Sequence, residues 1–255
     1  MINSKRYGSG KPLIFIHGFC EDHTMWDNFY KPFTDDYEVI LVDLPGFGES
    51  GSPKANFSIA DIANQLAEWM RSEKIGPAKI VGHSLGGYVI LELVNNHSEL
   101  VEGFGLFHST AFADSPEKRD TRDKVIKFVE KNGVEQFADS FVPQLFYVKN
   151  QERLITEIEQ AVQTARRTMP ETLVGYTRAM RDRVDRIDVL KSFNRPILFI
   201  AGDRDTSVPI EKSKKQIPLI QKGTTAILKD TGHMGMFESR QESLEIIQRF
   251  LSNQF

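Results

Sequence analysis

Short apolar runs bounded by glycine, proline and charged residues recur through the first part of the chain and return near its end. Residues 13–16, 39–42, 78–81, 195–202 and 225–228 are each too short for a helix and end in turn residues, so they are predicted as buried strands. Residues 2–7 add one short strand ahead of them. A helical spacing of apolar positions over 88–94 follows the third run, and Ser58 with Asp61 three residues later has the form of a capping box opening another helix. Between 109 and 193 the pattern changes. Val125, Phe128 and Val129, then Phe137 and Phe141, then Leu154, Ile155, Ile158 and Val162 recur at intervals of three and four, which predicts amphipathic helices with almost no strand signal. The chain therefore divides into a strand-and-helix segment over 1–108, a helical stretch over 109–193 and a return to the first segment's core over 194–255.

The chemistry sits at strand ends. In Gly82-His83-Ser84-Leu85-Gly86 a serine stands where a strand hands over to a helix, and glycines two positions away on either side let the backbone turn sharply there. The helix N-terminus then points free N–H groups and a positive dipole end at the reacting oxygen. A serine hydroxyl is a poor nucleophile at neutral pH, so it needs a base and the base needs an orienting acid. The strand ending at Gly202 runs into Asp203-Arg204-Asp205, which leaves two carboxylates available at its carboxyl end. After one more strand, Gly232 bends a loop that presents His233. Of the six histidines only His233 follows both the serine and the acid in such a loop, giving the chain order Ser, Asp, His. Early in the chain, Gly18 allows close backbone approach, and the N–H of Phe19 can join that of Leu85 as an oxyanion pair. His17 is read as a brace for this loop. Cys20, with no cationic neighbour to lower its pKa, is read as pocket lining together with Met234.

These residues together resemble the α/β-hydrolase superfamily, and within it the small, capped, serine esterase-like branch. The resemblance spans nearly the whole chain and rests on His17-Gly18-Phe19, the loop Asp43-Leu44-Pro45-Gly46-Phe47-Gly48-Glu49-Ser50, the turn at Ser84, Gly202-Asp203-Arg204-Asp205 with Pro209, and Gly232-His233. It implies an α/β fold: a mainly parallel central sheet of about seven strands flanked by helices, with a helical cap inserted after the sixth strand. Too few residues precede Leu13 for the family's usual first strand. The family pattern places the acid three residues after the glycine and four before the proline, which selects Asp205 and leaves Asp203 to cap the local turn. The implied activity is cleavage of carboxylic esters of small to medium acyl groups through an acyl-enzyme, with Ser84, Asp205 and His233 catalytic. Lactone, thioester and carbon–carbon bond hydrolysis share the same residues, although the tryptophan common after the histidine in carbon–carbon hydrolases is absent here. Some relatives keep the triad yet act as small-molecule receptors. Phe141, Phe146, Tyr147, Met169, Tyr176 and Met180 are candidates both for lining an acyl pocket and for the core of the cap.

Other patterns narrow the reading. Gly46-Phe47-Gly48-Glu49-Ser50-Gly51 matches a dinucleotide-binding fingerprint, but the polar residues after it delay the next helix, so no cofactor is expected. No histidine pair has metal-ligand spacing and one cysteine cannot build a zinc site, so no metal is expected either. With 32 basic and 35 acidic residues there is no basic stripe for nucleic acid. Alternating charges between Asp114 and Asp188 read as solvated helix faces. No apolar run approaches the roughly 20 residues needed to span a bilayer and the N-terminus lacks a signal core, so no membrane insertion is expected, and the single cysteine points to a cytoplasmic enzyme. The resemblance implies a small-molecule ester as its substrate, and a monomer or homodimer is expected.

Overall fold

The predicted strands form, and the central ones, covered by helices on both faces, are largely apolar along their length. The computed structural model, which describes residues 1–253, contains in chain order β1 (Ser4–Tyr7), β2 (Lys11–Ile16), β3 (Tyr37–Val42), α1 (Ile59–Ser72), β4 (Ala78–His83), α2 (Leu85–His97), β5 (Val101–Phe107), α3 (Pro116–Phe141), α4 (Ile155–Arg166), α5 (Pro170–Asp182), α6 (Ile187–Ser192), β6 (Ile197–Gly202), α7 (Ile210–Gln216), β7 (Gly223–Leu228), α8 (Gly235–Glu238) and α9 (Arg240–Leu251). The seven strands form one sheet in the order β1-β3-β2-β4-β5-β6-β7. Only β1 runs antiparallel to its neighbour; the other pairs are parallel. Every residue of β4 and β6 is buried. Strand β5, interrupted by Gly103 and Gly105, is one that the apolar pattern does not isolate.

Parallel pairing has a functional consequence. The carboxyl ends of β2, β4, β5, β6 and β7 all lie along one sheet edge, so the loops carrying Phe19, Ser84, His108, Asp205 and His233 share that edge. The capping box of α1 forms as predicted, with Ser58 Oγ accepting from Asp61 N–H at 3.1 Å and the Asp61 carboxylate accepting from Ser58 N–H at 2.8 Å.

Helices α3 to α6 leave the sheet after β5. The resemblance counts this strand as the sixth, one higher than its place among the strands described here. The charges of this helical segment depart from expectation. Arg183 and Asp114 are 2.7 Å apart with side chains only 5% and 3% exposed, and Arg122 reaches the same carboxylate at 3.1 Å. Arg181 joins Asp123 at 2.6 Å, tying α5 to α3. The Arg183 guanidinium also lies 4.0 Å from the centre of the Tyr88 ring on α2, joining the helical segment to the sheet's own helices. Sign alternation along one helix cannot show that its charges meet those of another, so the pattern along the chain does not distinguish this buried pair from a solvated face. Phe128 and Ile155, expected to face inward, are exposed, whereas Val129, Phe137 and Ile158 are buried. Among the described residues no helix is long and apolar enough to cross a membrane.

Candidate active site

Ser84 follows the last residue of β4 with φ 48° and ψ −109°, a conformation that costs a non-glycine residue on the order of 1–3 kcal/mol. The neighbouring backbones enforce it. A Cβ at Gly82 would stand 2.5 Å from the Gly86 carbonyl carbon, and one at Gly86 2.7 Å from the Ile16 carbonyl oxygen, so side chains at either position would push the turn apart. The Ser84 N–H donates to Phe107 O at 3.0 Å and the Ser84 carbonyl accepts from Ser109 Oγ at 2.7 Å. The turn is therefore held by main-chain groups, and the hydroxyl takes no part in holding it. Ser84 is partly exposed in an otherwise buried neighbourhood.

The structure brings Asp205 and His233 together, with His233 Nδ1 donating to Asp205 Oδ2 at 2.7 Å; both residues are buried. The other carboxylate oxygen accepts from the Ser207 and Val208 N–H groups at 2.8 and 2.9 Å, so it is Asp205 that closes the local turn. Asp203 instead accepts from Thr231 N–H at 3.3 Å, on the loop that carries His233. Burial alone would raise the Asp205 pKa, but the imidazoles of His233 and His108 outweigh it and hold the carboxyl well below the usual range. The His233 loop is braced from the helical segment: His233 N–H donates to Leu145 O at 2.7 Å, and buried Glu238 accepts from the N–H groups of Met234 and Tyr147 at 3.1 and 2.9 Å.

His83, which the sequence reading left without a role, joins the two halves of the site. Its Nε2 donates to the His233 carbonyl at 2.9 Å and its Nδ1 to Glu21 Oε2 at 3.0 Å. The same Glu21 oxygen accepts from Gly18 N–H at 2.6 Å, next to Phe19. A carbonyl and an ionised carboxylate only accept, so both ring nitrogens carry protons. Burial opposes that charge, yet Glu21 and the His233 carbonyl raise the His83 pKa, while His83 in turn lowers that of Glu21 against the same burial penalty. The signal for these residues was positional: a histidine at a strand's last residue and an acid three positions after Gly18.

Glu21→Gln is expected to cost about 3–5 kcal/mol in urea denaturation, since it leaves a buried imidazolium without its counter-ion. The His83 contribution in the wild type is fully present below the ordinary histidine pKa of about 6.5 and is lost as pH rises through the raised folded value. That of Glu21 is present above about 4.3 and lost as pH falls through its lowered value. Wild-type stability should therefore decline from neutral into alkaline pH more steeply than that of Glu21→Gln. Parallel profiles would show that the pair is not ionised.

His17 braces its loop as expected, with Nδ1–H donating to Gly18 O at 2.8 Å and Nε2 accepting from Leu44 N–H at 2.9 Å; burial lowers its pKa. The Phe19 ring packs against Phe47 and against Phe137 and Phe141 of α3, with ring centres 6.1–6.5 Å apart. The Leu85 N–H is the first of α2 and has no carbonyl four residues back within the helix. Cys20 is buried at φ 60°, and burial pushes its thiol pKa up. Met234 is buried and lines a crevice between the loop after β2 and α4, together with Met25, Thr164 and Phe237. Of the candidate pocket residues, Phe146 stacks on Phe237, Tyr176 is buried with its hydroxyl donating to Pro45 O at 2.9 Å, and Met169 is exposed. The Gly46–Gly51 loop folds around Asp43, which accepts from His23 Nδ1 and N–H, Asn3 Nδ2 and Glu49 N–H.

A strained serine and a buried imidazole–carboxylate pair, carried by loops at the same carboxyl edge of a mainly parallel sheet, define a class of protein. The family model described as alpha/beta hydrolase fold matches residues 11–239, and the chain belongs to that family of hydrolases. Among particular proteins, it is 25% identical to the pimeloyl-[acyl-carrier protein] methyl ester esterase of Aeromonas hydrophila, over 98% of this chain and 99% of that one. It is 24% identical, over 97% of its length, to the dihydrolipoyllysine-residue acetyltransferase component of the acetoin cleaving system of Cupriavidus necator. The chain spans 65% of that protein's length and less of several other curated relatives. The solved structure of a thermophilic esterase from Thermogutta terrifontis superposes with a TM-score of 0.92 at 26% identity, covering 98% of this chain and 93% of that one.

Proposed function

We propose that this protein hydrolyses carboxylic esters of small to medium acyl groups by acyl transfer through Ser84. The observation that carries the reading is the 2.7 Å contact of His233 Nδ1 with Asp205 at the sheet edge where Ser84 is held in a strained turn. With Nδ1–H committed to the carboxylate, the neutral ring has its lone pair on Nε2, the tautomer a general base needs. His233 removes the Ser84 proton as the alkoxide attacks the ester carbonyl, and the Phe19 and Leu85 N–H groups stabilise the tetrahedral oxyanion. The imidazolium then protonates the departing alcohol. Water, deprotonated by the same imidazole, attacks the acyl-serine, and collapse frees the acid and Ser84. Asp205 orients the ring and stabilises its charged form.

Helices α3 to α6, within residues 109–193, act in this reading as a cap on a core built from 1–108 and 194–255. Phe137 and Phe141 packed on Phe19 support that placement, since they set apolar surface beside the oxyanion donors. The scarcity of cysteine fits a reducing cytoplasm, and a monomer or homodimer suffices because all the named residues come from one chain.

Aryl esters of rising acyl length, assayed beside a lactone, an acyl thioester and a vinylogous diketone, test the reading. Turnover fastest with the esters of short and medium chains is expected. Preference for one of the other three would reassign the bond cleaved, and no turnover of any, with a ligand bound stoichiometrically, would favour a receptor.

A further inference from the structure

His108 is the residue after β5. It is wholly buried, and like Ser84 it is held at a positive φ, here 49°. Its backbone N–H is fixed by Ile200 O at 2.8 Å, and the next residue, Ser109, donates to the Ser84 carbonyl. This conformation carries the imidazole beneath the site. Its Nδ1 lies 3.3 Å from Asp205 Oδ2, the same oxygen that accepts from His233, and the two rings meet edge to face with centres 6.0 Å apart. Its Nε2 is buried with no hydrogen-bond partner among the described residues. On that side stands Gly235, where any side chain would run into Nε2.

These contacts fix the chemistry of the ring. An ionised carboxylate oxygen only accepts, so Nδ1 carries the proton. Placing a second proton on Nε2 would bury a charged N–H without an acceptor, which is far costlier than leaving a bare lone pair there. Burial, helped by the neighbouring imidazoles, outweighs the pull of Asp205 and lowers the His108 pKa.

We propose that His108 is a positioning residue, a permanently neutral second imidazole whose Nδ1–H shares the carboxylate oxygen of Asp205 that orients His233. The proposal rests on the esterase reading for its kinetic consequence, though not for its tautomer. The shared donor disperses charge on Oδ2 and prevents the carboxylate from rotating away from His233. With the donor removed, the more concentrated charge holds a proton on the triad more tightly, so higher pH is needed to free the base. The other ionisable groups facing His233 are Asp205 itself, His83 with Glu21 behind it, and Glu238 on α8.

The test compares His108→Leu, which removes the donor, with His108→Asn, whose amide N–H can occupy the Nδ1 position. For His108→Leu, kcat/KM on an aryl ester is expected to fall about tenfold, mainly in kcat, with the acid limb of its pH profile moved up by roughly half a unit. His108→Asn should restore both. Wild-type kinetics and limb in the leucine variant would overturn the proposal, as would an unmoved limb with a lowered melting temperature that asparagine does not rescue. Should the leucine variant fail to fold, His108→Gln, which places its amide at the Nε2 position, replaces it and is expected to behave like leucine. Imidazole nitrogen–proton NMR of the wild type separates this proposal from the esterase reading, since it needs no turnover. A neutral Nδ1–H tautomer for His108 from pH 5 to pH 9 is expected, and an Nε2–H tautomer or an imidazolium would refute it.

Discussion

Replacing Ser84 by alanine is expected to lower kcat/KM for an aryl ester by a factor on the order of 10⁴ to 10⁶ while leaving the melting temperature nearly unchanged. The two halves of this expectation have separate physical sources. Loss of rate follows because the attacking hydroxyl is removed and two neighbouring groups offer no substitute: Cys20 is buried with its thiol pKa pushed up, and the Ser109 hydroxyl donates to the Ser84 carbonyl. Preserved stability follows because the turn is held by the Ser84 main chain, through Phe107 O and Ser109 Oγ, and alanine suffers the positive φ no more than serine does. Steady-state kinetics with differential scanning calorimetry on the same samples checks both. Retained hydrolysis would remove Ser84 from the chemistry. Lost hydrolysis with a collapsed melting temperature would contradict the account of the turn.

Asp205→Asn is expected to reduce kcat by about 10⁴-fold with little change in KM. The carboxylate accepts four hydrogen bonds, from Ser207 and Val208 N–H on one oxygen and from His233 and His108 on the other. An amide cannot satisfy this set in either orientation. With its NH₂ toward the histidines it opposes two imidazole N–H groups and drives His233 into the tautomer that has no lone pair on Nε2. With its NH₂ toward the turn it opposes two backbone N–H groups instead. Either way a buried network is broken, and about 3–5 kcal/mol of stability should be lost with it. Kinetics alone would not separate misfolding from mechanism, so urea denaturation belongs beside the rate measurement. An Asp205→Asn enzyme within tenfold of wild-type kcat would show that the acid lies elsewhere.

How far the chain could be read in advance depended on whether each signal was local. The runs that became β2, β3, β4, β6 and β7 are contiguous and apolar, and the turn chemistry around Ser84 and His233 lies within a few residues of each. That His233 meets an acid from the loop after β6 needed only the rule that parallel strands deliver their loops to one edge. The choice of Asp205 over Asp203 was not local: it came from the family pattern, and the structure supplies its physical side, one acid bonded to His233 and the other to the Thr231 N–H. What escaped the sequence depends on contacts between distant segments. Glu21 and His83 are 62 positions apart, and His108 and Asp205 97. Nothing in either neighbourhood announces the partner. The buried Asp114–Arg183 pair and the exposure of Phe128 escaped for the same reason, since helix faces are assigned by what packs on them.

The central claim is that three groups converge to make Ser84 nucleophilic, and covalent capture tests it most directly. After incubation with a fluorophosphonate, intact-mass and peptide mass spectrometry should find a single adduct, on the peptide containing Ser84. Labelling should be abolished in Ser84→Ala and slowed by orders of magnitude in His233→Ala. An adduct on another residue, or an unlabelled Ser84 in protein that retains its wild-type melting temperature, would contradict the account.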